Sequence, residues 1–387
     1  MNLNRKILSM TPLFERSITS WRDIGGLDTA EEIARQPALW DELATSLAAD
    51  RERIDAFLGD SLRNPRQAVI LTGAGSSAYV GEIIADEINA AWPCQVRAIP
   101  TTSLLTHPAL YLEAGAPVLL VSFARSGNSP ESTAAVQLVR DLVPHARFLN
   151  ITCNAQGQLA LQGTSDADTL NLLMPAASCD RGFAMTSSFS CMLLAALCAL
   201  DPDFHPEHLA TLAGLGRQAA AQWSAPVASL AAQRLSRVIY LGSGPLEALA
   251  REAALKIMEL TAGTVMTMAN TPLGFRHGPK AAVNGETLVL VFRSADPLAR
   301  RYEDDLLAEL RRDGVARAVL SIGTGGEFGI DTPPWPDAWL ASLWLLAAQQ
   351  YALHQSALLG LRPDNPFTGG IVNRVVQGVT IHRHDES

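Results

Sequence analysis

Between residues 28 and 60, Ile33, Leu39, Trp40, Leu43, Leu47, Ile54 and Phe57 recur at three- and four-residue steps, the spacing that keeps one face of an α-helix apolar. This predicts an N-terminal helical arm. From Gln67 onward the pattern changes to short apolar runs that end in glycine or serine and lead into helical segments, which predicts parallel strands joined by crossover helices. AVILT (68–72), CQVRAI (94–99), PVLLVSF (117–123) and RFLNIT (147–152) read as four strands. After a linker near 201–206, RVIYL (237–241), TVMTMA (264–269), TLVLVFR (287–293) and ARAVLSI (316–322) read as four more. AVILTGAGSS and RVIYLGSGPL both run a strand into G-x-G, with Gly73 and Gly242 169 positions apart, and VLLVSF and LVLVFR are 170 apart. A near-constant offset implies two duplicated, doubly wound α/β lobes whose ligand lies beyond the carboxyl ends of the strands. The expected organisation is an arm at 1–60, a first lobe at 61–205, and a second lobe at 206–387 that includes a C-terminal tail.

Two further apolar stretches, 185–200 and 339–361, invite a membrane reading. The first is short and the second contains Gln349, Gln350, His354 and Gln355, so buried helices, candidates for a subunit interface, are expected instead. The amino-terminal MNLNRKILSMTPLF lacks the apolar core of a secretion signal. Five cysteines without a C-x-x-C pair fit reduced thiols in the cytoplasm. With 48% hydrophobic residues in 387 positions, two lobes of ordinary size are covered. A net charge of −9 disfavours nucleic acid and anionic membranes as partners, and residues 1–60 hold seven Arg or Lys against eleven Asp or Glu, which argues against a DNA-binding headpiece. Any phosphate must be held by local chemistry.

That chemistry is visible at the strand ends. The run 68–72 ends in Gly73-Ala74-Gly75-Ser76-Ser77, and the run 117–123 ends in Ala124-Arg125-Ser126-Gly127-Asn128-Ser129 before a helical TAAVQLVRDLV. Hydroxyls and backbone N–H groups at a helix N-terminus make an anion site. Thr186-Ser187-Ser188 opens another apolar helix in the same way, although each cluster taken singly also fits plain helix capping. Gly73 to Ala78 also satisfies a loose dinucleotide pattern, yet the strand that follows ends at Ile99-Pro100 with no acidic residue for a ribose. No G-K-[ST] occurs, so neither a nicotinamide cofactor nor nucleotide hydrolysis is expected. In the second lobe, Glu252, Lys256 and Glu259 stand at i, i+4 and i+7 on one helical face. The spacing fits an exposed ion-pair ladder as well as an acid-base group turned into a crevice. His277 lies between glycine and proline in a loop. Neither His205 with His208 nor His382 with His384 has a third ligand nearby in sequence, so no metal site is expected.

Taken in order, E-I-x-x-Q-P (32–37), G-A-G-S-S (73–77), R-S-G-N-S (125–129), E-A-A-L-K-I-M-E (252–259) and R-H-G-P (276–279) resemble the sugar isomerase (SIS) domain family, with its flavodoxin-like lobes. They are most similar to the isomerase half of glucosamine-6-phosphate synthase. The arm and the ending D-N-P-F-T-G-G-I-V-N-R-V-V-Q-G-V-T-I (364–381) resemble the AgaS branch, galactosamine-6-phosphate deaminases also described as tagatose-6-phosphate ketose/aldose isomerases. The resemblance implies phosphate binding by Gly75, Ser76, Ser77, Ser126 and Ser129, with Thr186 and Ser187 contributing and Arg125 standing where the synthase has Gln. It implies Glu259 as the proton shuttle between C1 and C2, Glu252 and Lys256 as its helix partners, and His277 as a ring-opening histidine lent by a neighbouring subunit.

Two positions depart from the synthase pattern. Its first phosphate-loop serine falls at Ala124, and its C-terminal lysine falls near Gln377, with Arg374 the nearest cation. No amino-terminal cysteine nucleophile is present, so ammonia transfer from glutamine is not expected. The implied activity is cofactor-free deamination of a phosphorylated hexosamine by a homodimer or homotetramer with shared active sites. The alternatives are aldose-ketose isomerisation of an amine-free hexose phosphate and a non-catalytic sugar-phosphate sensor.

Overall fold

The computed structural model describes residues 12–113, 115–164, 166–370, 372–376, 378–382 and 384. Two helices open the chain, α1 (Ile18–Asp23) and α2 (Leu27–Leu58). There follow β1 (Ala68–Thr72), α3 (Ser76–Ala91), β2 (Gln95–Ala98), α4 (Thr101–Thr106), β3 (Val118–Ala124), α5 (Pro130–Leu142), β4 (Arg147–Thr152), α6 (Gln158–Gln162), β5 (Thr169–Leu173), α7 (Ser187–Leu200) and α8 (Pro206–Ala231). The remainder is β6 (Arg237–Leu241), α9 (Pro245–Leu260), β7 (Met266–Asn270), α10 (Pro272–Phe275), β8 (Thr287–Phe292), α11 (Pro297–Asp313), β9 (Ala318–Ile322) and α12 (Asp337–Leu358). The eight expected strands all form, and β5 is a ninth.

Two parallel sheets result, ordered β2-β1-β3-β4-β5 and β7-β6-β8-β9. Central strands read as continuous apolar runs because helices cover both faces, and β3 and β8 are buried along their whole length. The edge strands β2 and β5 alternate instead. In each sheet the winding reverses between the first strand and the third, β1/β3 and β6/β8, and it is there that open α/β sheets leave a crevice beyond the carboxyl ends.

By compactness the chain divides into two units. One comprises the described part of Met1–Ala38 with Asp180–Ser187 and Ala210–Thr368, and the other comprises Leu39–Cys179, Ser188–Leu209 and the described part of Gly369–Ser387. The first unit holds β6–β9, and the second holds β1–β5.

The arm helix α2 carries Pro37 in its interior. Proline cannot donate to the carbonyl four residues back, which is that of Ile33. The Gln36 side chain supplies the missing donor, its Nε2 lying 3.2 Å from the Ile33 oxygen and 2.7 Å from Oε1 of Gln349. The long apolar stretches do form helices, and every residue from Asp337 to Ser356 is buried within the single chain. That burial removes α12 as a subunit-contact surface. Among the described residues no helix is long and apolar enough to cross a membrane.

Candidate active site

In the unit built on β1–β5, two turns stand at the carboxyl ends of adjacent strands. β1 and β3 pair in register with Thr72 beside Ser122, so the turns that follow them flank one crevice. The first turn is tight. A Cβ on Gly73 would lie 2.5 Å from the Ser77 carbonyl carbon, so only glycine lets α3 begin directly over the strand. Ser76 and Ser77 form the first turn of α3 and are buried.

The second turn is braced from beneath. Thr152 Oγ1 donates to the Ala124 carbonyl at 2.7 Å, and Asn154 Nδ2 donates to that of Ser126 at 2.9 Å. Ser129 caps α5, its Oγ 3.3 Å from the Ser132 amide and 2.7 Å from the Ser132 hydroxyl. Ser126 Oγ accepts from the Asn128 amide at 3.2 Å. Both turns thus aim helix N-termini, with their positive partial charge, at one crevice. Sequence reasoning missed three hydroxyls near these turns, on β1, on β3 and at the start of α4, where the Thr101 amide donates to the Gly73 carbonyl. Thr72, Thr101 and Ser122 are buried without a hydrogen-bond partner among the described residues, and inside or beside apolar runs they read only as tolerated strand residues.

Arg125 is buried in the same unit, and its Nη2 donates to the Arg374 carbonyl at 3.0 Å. The guanidinium therefore ties the C-terminal segment to the turn after β3, and Arg374 is exposed. Gln377 lies outside the described residues. Thr186 and Ser187 belong to the other unit. Thr186 donates its amide and hydroxyl to Asp180 at 2.8 and 3.0 Å, and Ser187 donates its hydroxyl to the Glu32 carbonyl at 2.8 Å. Both hydroxyls hold the 180–187 turn, and neither residue is grouped with the β1 and β3 turns.

In the unit built on β6–β9, helix α9 settles which way its charged face points. Glu252 and Lys256 are fully buried, whereas the Glu259 side chain keeps 22% of its surface. Lys256 Nζ lies 3.3 Å from Glu252 Oε1 and 2.5 Å from Glu259 Oε2. Burial pulls the Lys256 ammonium down, but the charges of Glu252 and Glu259 outweigh it and hold its pKa above the usual lysine value. An exposed ladder is excluded. Burying such a triad stabilises a fold little, because desolvation offsets the attraction, which makes it a candidate for acid-base chemistry.

His277 is exposed in the turn after α10. Thr271 caps α10, its hydroxyl accepting from the Gly274 amide at 3.0 Å, and the His277 amide donates to the Gly274 carbonyl at 3.0 Å. Among the described residues no hydrogen bond joins His277 to Glu252, Lys256 or Glu259. At the β6/β8 crevice the chain places carboxylates. Asp337 accepts from the Ser294 hydroxyl at 2.5 Å and from the Ala295 amide at 2.6 Å, and Glu303 accepts from the Ser294 amide at 2.9 Å. Burial raises both carboxyls above their ordinary range. Among the described residues no three His, Cys, Asp or Glu side chains are grouped as a metal site requires.

Residues 61–200 match the SIS domain. A Streptomyces coelicolor AgaS protein is 47% identical over 93% of this chain and 96% of its own length. The D-galactosamine-6-phosphate deaminase AgaS of Shewanella sp. strain ANA-3 is 42% identical over 92% of each chain. The crystal structure of tagatose-6-phosphate ketose/aldose isomerase from Escherichia coli superposes with a TM-score of 0.86 at 40% identity, covering 93% of this chain and 98% of that one. With this degree of identity along nearly its whole length, and the SIS match over its first lobe, the chain belongs to the AgaS family of SIS-domain proteins.

Proposed function

We propose that the chain is a hexosamine-6-phosphate deaminase that converts galactosamine 6-phosphate to tagatose 6-phosphate and ammonia. The observation that carries this reading is the Glu252–Lys256–Glu259 triad, a buried ammonium between two carboxylates with only Glu259 reaching solvent. The names of the Shewanella and E. coli proteins support the substrate.

In this reading the phosphate rests on the turns after β1 and β3, held by Ser76, Ser77, Ser126, Ser129, backbone N–H groups and Arg125. His277 moves the ring proton that opens the pyranose. Glu259 then takes the proton from C2 and returns it to C1, a transfer that needs a positioned base and no cofactor. Lys256 neutralises and orients that carboxylate. With an amine at C2 the product is a ketimine, to which water adds and from which ammonia leaves.

The test is ammonia release together with tagatose 6-phosphate formation from galactosamine 6-phosphate, with glucosamine 6-phosphate and amine-free hexose phosphates in parallel. Ketose formation from an amine-free hexose phosphate alone would make the chain a plain aldose-ketose isomerase, and binding without turnover would make it a sensor. We also infer a cytoplasmic homo-oligomer in which His277 serves a neighbouring subunit. Leu273 and Met258, beside His277 and Glu259, are both nearly half exposed, an apolar pair suited to a subunit contact. Five free cysteines, four of them buried, fit a reducing compartment.

A further inference from the structure

We propose that Glu309 is the positioning residue for His277, the carboxylate that fixes the ring-opening loop in place; this rests on the reading that His277 opens the sugar ring. His277 is flanked by Arg276 and, three residues on, by Lys280. Both cations turn back to one carboxylate. Arg276 Nε donates to Glu309 Oε2 at 2.8 Å, and the Lys280 ammonium pairs with Glu309 Oε1. The outer ends are held as well, Arg276 Nη2 by Asp305 at 2.7 Å and Lys280 Nζ by Asp313 at 2.6 Å.

Asp305, Glu309 and Asp313 stand at i, i+4 and i+8 on α11, a stack of like charges that would repel if left bare. Two cations at i and i+4 of the loop fill it, and Glu309 is the one carboxylate shared by both. Hydrogen bonds from Lys280 and Arg276 hold the Glu309 carboxyl below its ordinary value. The loop is anchored at its two ends, by buried Phe275 before it and by Ala282 and Val283, which pack on the same core, after it; between them the clamp supplies the side-chain bonds on either side of His277. α10 is a single turn, and Gly278 follows the histidine at φ +123°, a conformation open to glycine and hardly to other residues. Arg276, Glu309 and Lys280 keep roughly a quarter of their side-chain surface and Asp305 keeps 71%, so the pairs add little to global stability. Their effect is to fix where the imidazole stands.

Steady-state deamination of galactosamine 6-phosphate, unlabelled and deuterated at C2, tests this on the full-length protein. Glu309→Ala is expected to lower kcat by about ten- to a hundredfold, the cost of a misplaced catalytic group, with KM nearly unchanged and melting close to wild type. The deuterium effect on kcat should fall toward one, because ring opening has become slow, and His277→Ala should show the same collapse. Glu309→Gln, which keeps an acceptor for both cations, should recover part of the rate. Lys280→Met reports on the same clamp should Glu309→Ala fail to fold. Wild-type kcat in Glu309→Ala, or a reduced kcat with an unchanged isotope effect, overturns the proposal. If His277→Ala itself retains full activity, the ring-opening reading falls; if only His277→Ala is impaired, the clamp alone falls.

Discussion

Lys256 holds its ammonium 2.5 Å from a carboxylate oxygen of Glu259, one turn further along the same helix, while its own surface is closed to solvent. The proposed role of Glu259 as the base at carbon can be tested on this pair. Glu259→Gln keeps the shape and removes the base, so kcat should fall by about 10²- to 10⁴-fold while KM barely moves. Loss of solvent exchange at C2 of labelled substrate would accompany it. Near-normal turnover in a folded Gln variant would shift the shuttle role to Glu252.

If Ser126, in the braced turn after β3, holds the phosphate, its binding energy is shared by ground and transition states. Ser126→Ala should raise KM more than it lowers kcat. Steady-state kinetics read this directly, and an unchanged KM would move the phosphate off this turn.

If His277 serves a neighbouring subunit, two inactive proteins can complement each other. Mixing His277→Ala with Glu259→Gln under subunit exchange should restore part of the activity, because some mixed sites carry both groups intact. Sedimentation of a fully active monomer would exclude the arrangement.

Glu32 receives the amides of Arg181 and Gly182, at 2.6 Å and 3.3 Å. Burial, reinforced by Asp180, pushes its carboxyl from 4.5 up to about 8 in the folded chain. Between those values the folded state keeps a proton that the unfolded chain gives up, so stability is greatest below the lower value and is lost as pH rises through the upper one. Glu32→Gln is neutral throughout, and its melting temperature should gain on wild type steadily across that window. His354 has the opposite sign, since burial, with the nearby charge of Arg16, depresses its imidazole from 6.5 to about 4, and its stability contribution is lost as pH falls through that range. A melting-temperature difference between Glu32→Gln and wild type that stays flat with pH would remove Glu32 from this account.

Gln36→Leu leaves the Ile33 carbonyl and the Gln349 side chain without their donor in a buried helix. A buried acceptor stranded this way costs about 1–3 kcal/mol, measurable by chemical denaturation. Specific activity per folded molecule should be retained, because Gln36 belongs to the scaffold.

Strand positions were legible because a parallel sheet covered on both faces writes itself as short apolar runs. RFLNIT and RVIYL became β4 and β6 residue for residue. β5 was missed because it is an edge strand whose Asn171 bonds sideways to Asn150, which breaks the run. The direction of the Glu252–Lys256–Glu259 face was not legible, since helical spacing is the same for a solvated ladder and a buried triad. The E-I-x-x-Q-P segment read as a family mark, yet its physical content is local: Glu32 receives the 181–182 amides and Gln36 repairs the break at Pro37. Thr186 and Ser187 read like the other hydroxyl turns because caps and anion sites share residue types, and only their bonds to Asp180 and to the Glu32 carbonyl separate the two.

Ser294 stands at the β6/β8 crevice with Asp337 on its hydroxyl and Glu303 on its amide. The donors that an anion would need there are already taken by the protein's own negative groups. Although both sheets wind the same way, the two halves are not interchangeable seats. If the turns after β1 and β3 hold the phosphate, a titration with inorganic phosphate should saturate at a stoichiometry of one per chain, the β6/β8 crevice closed to it by charge.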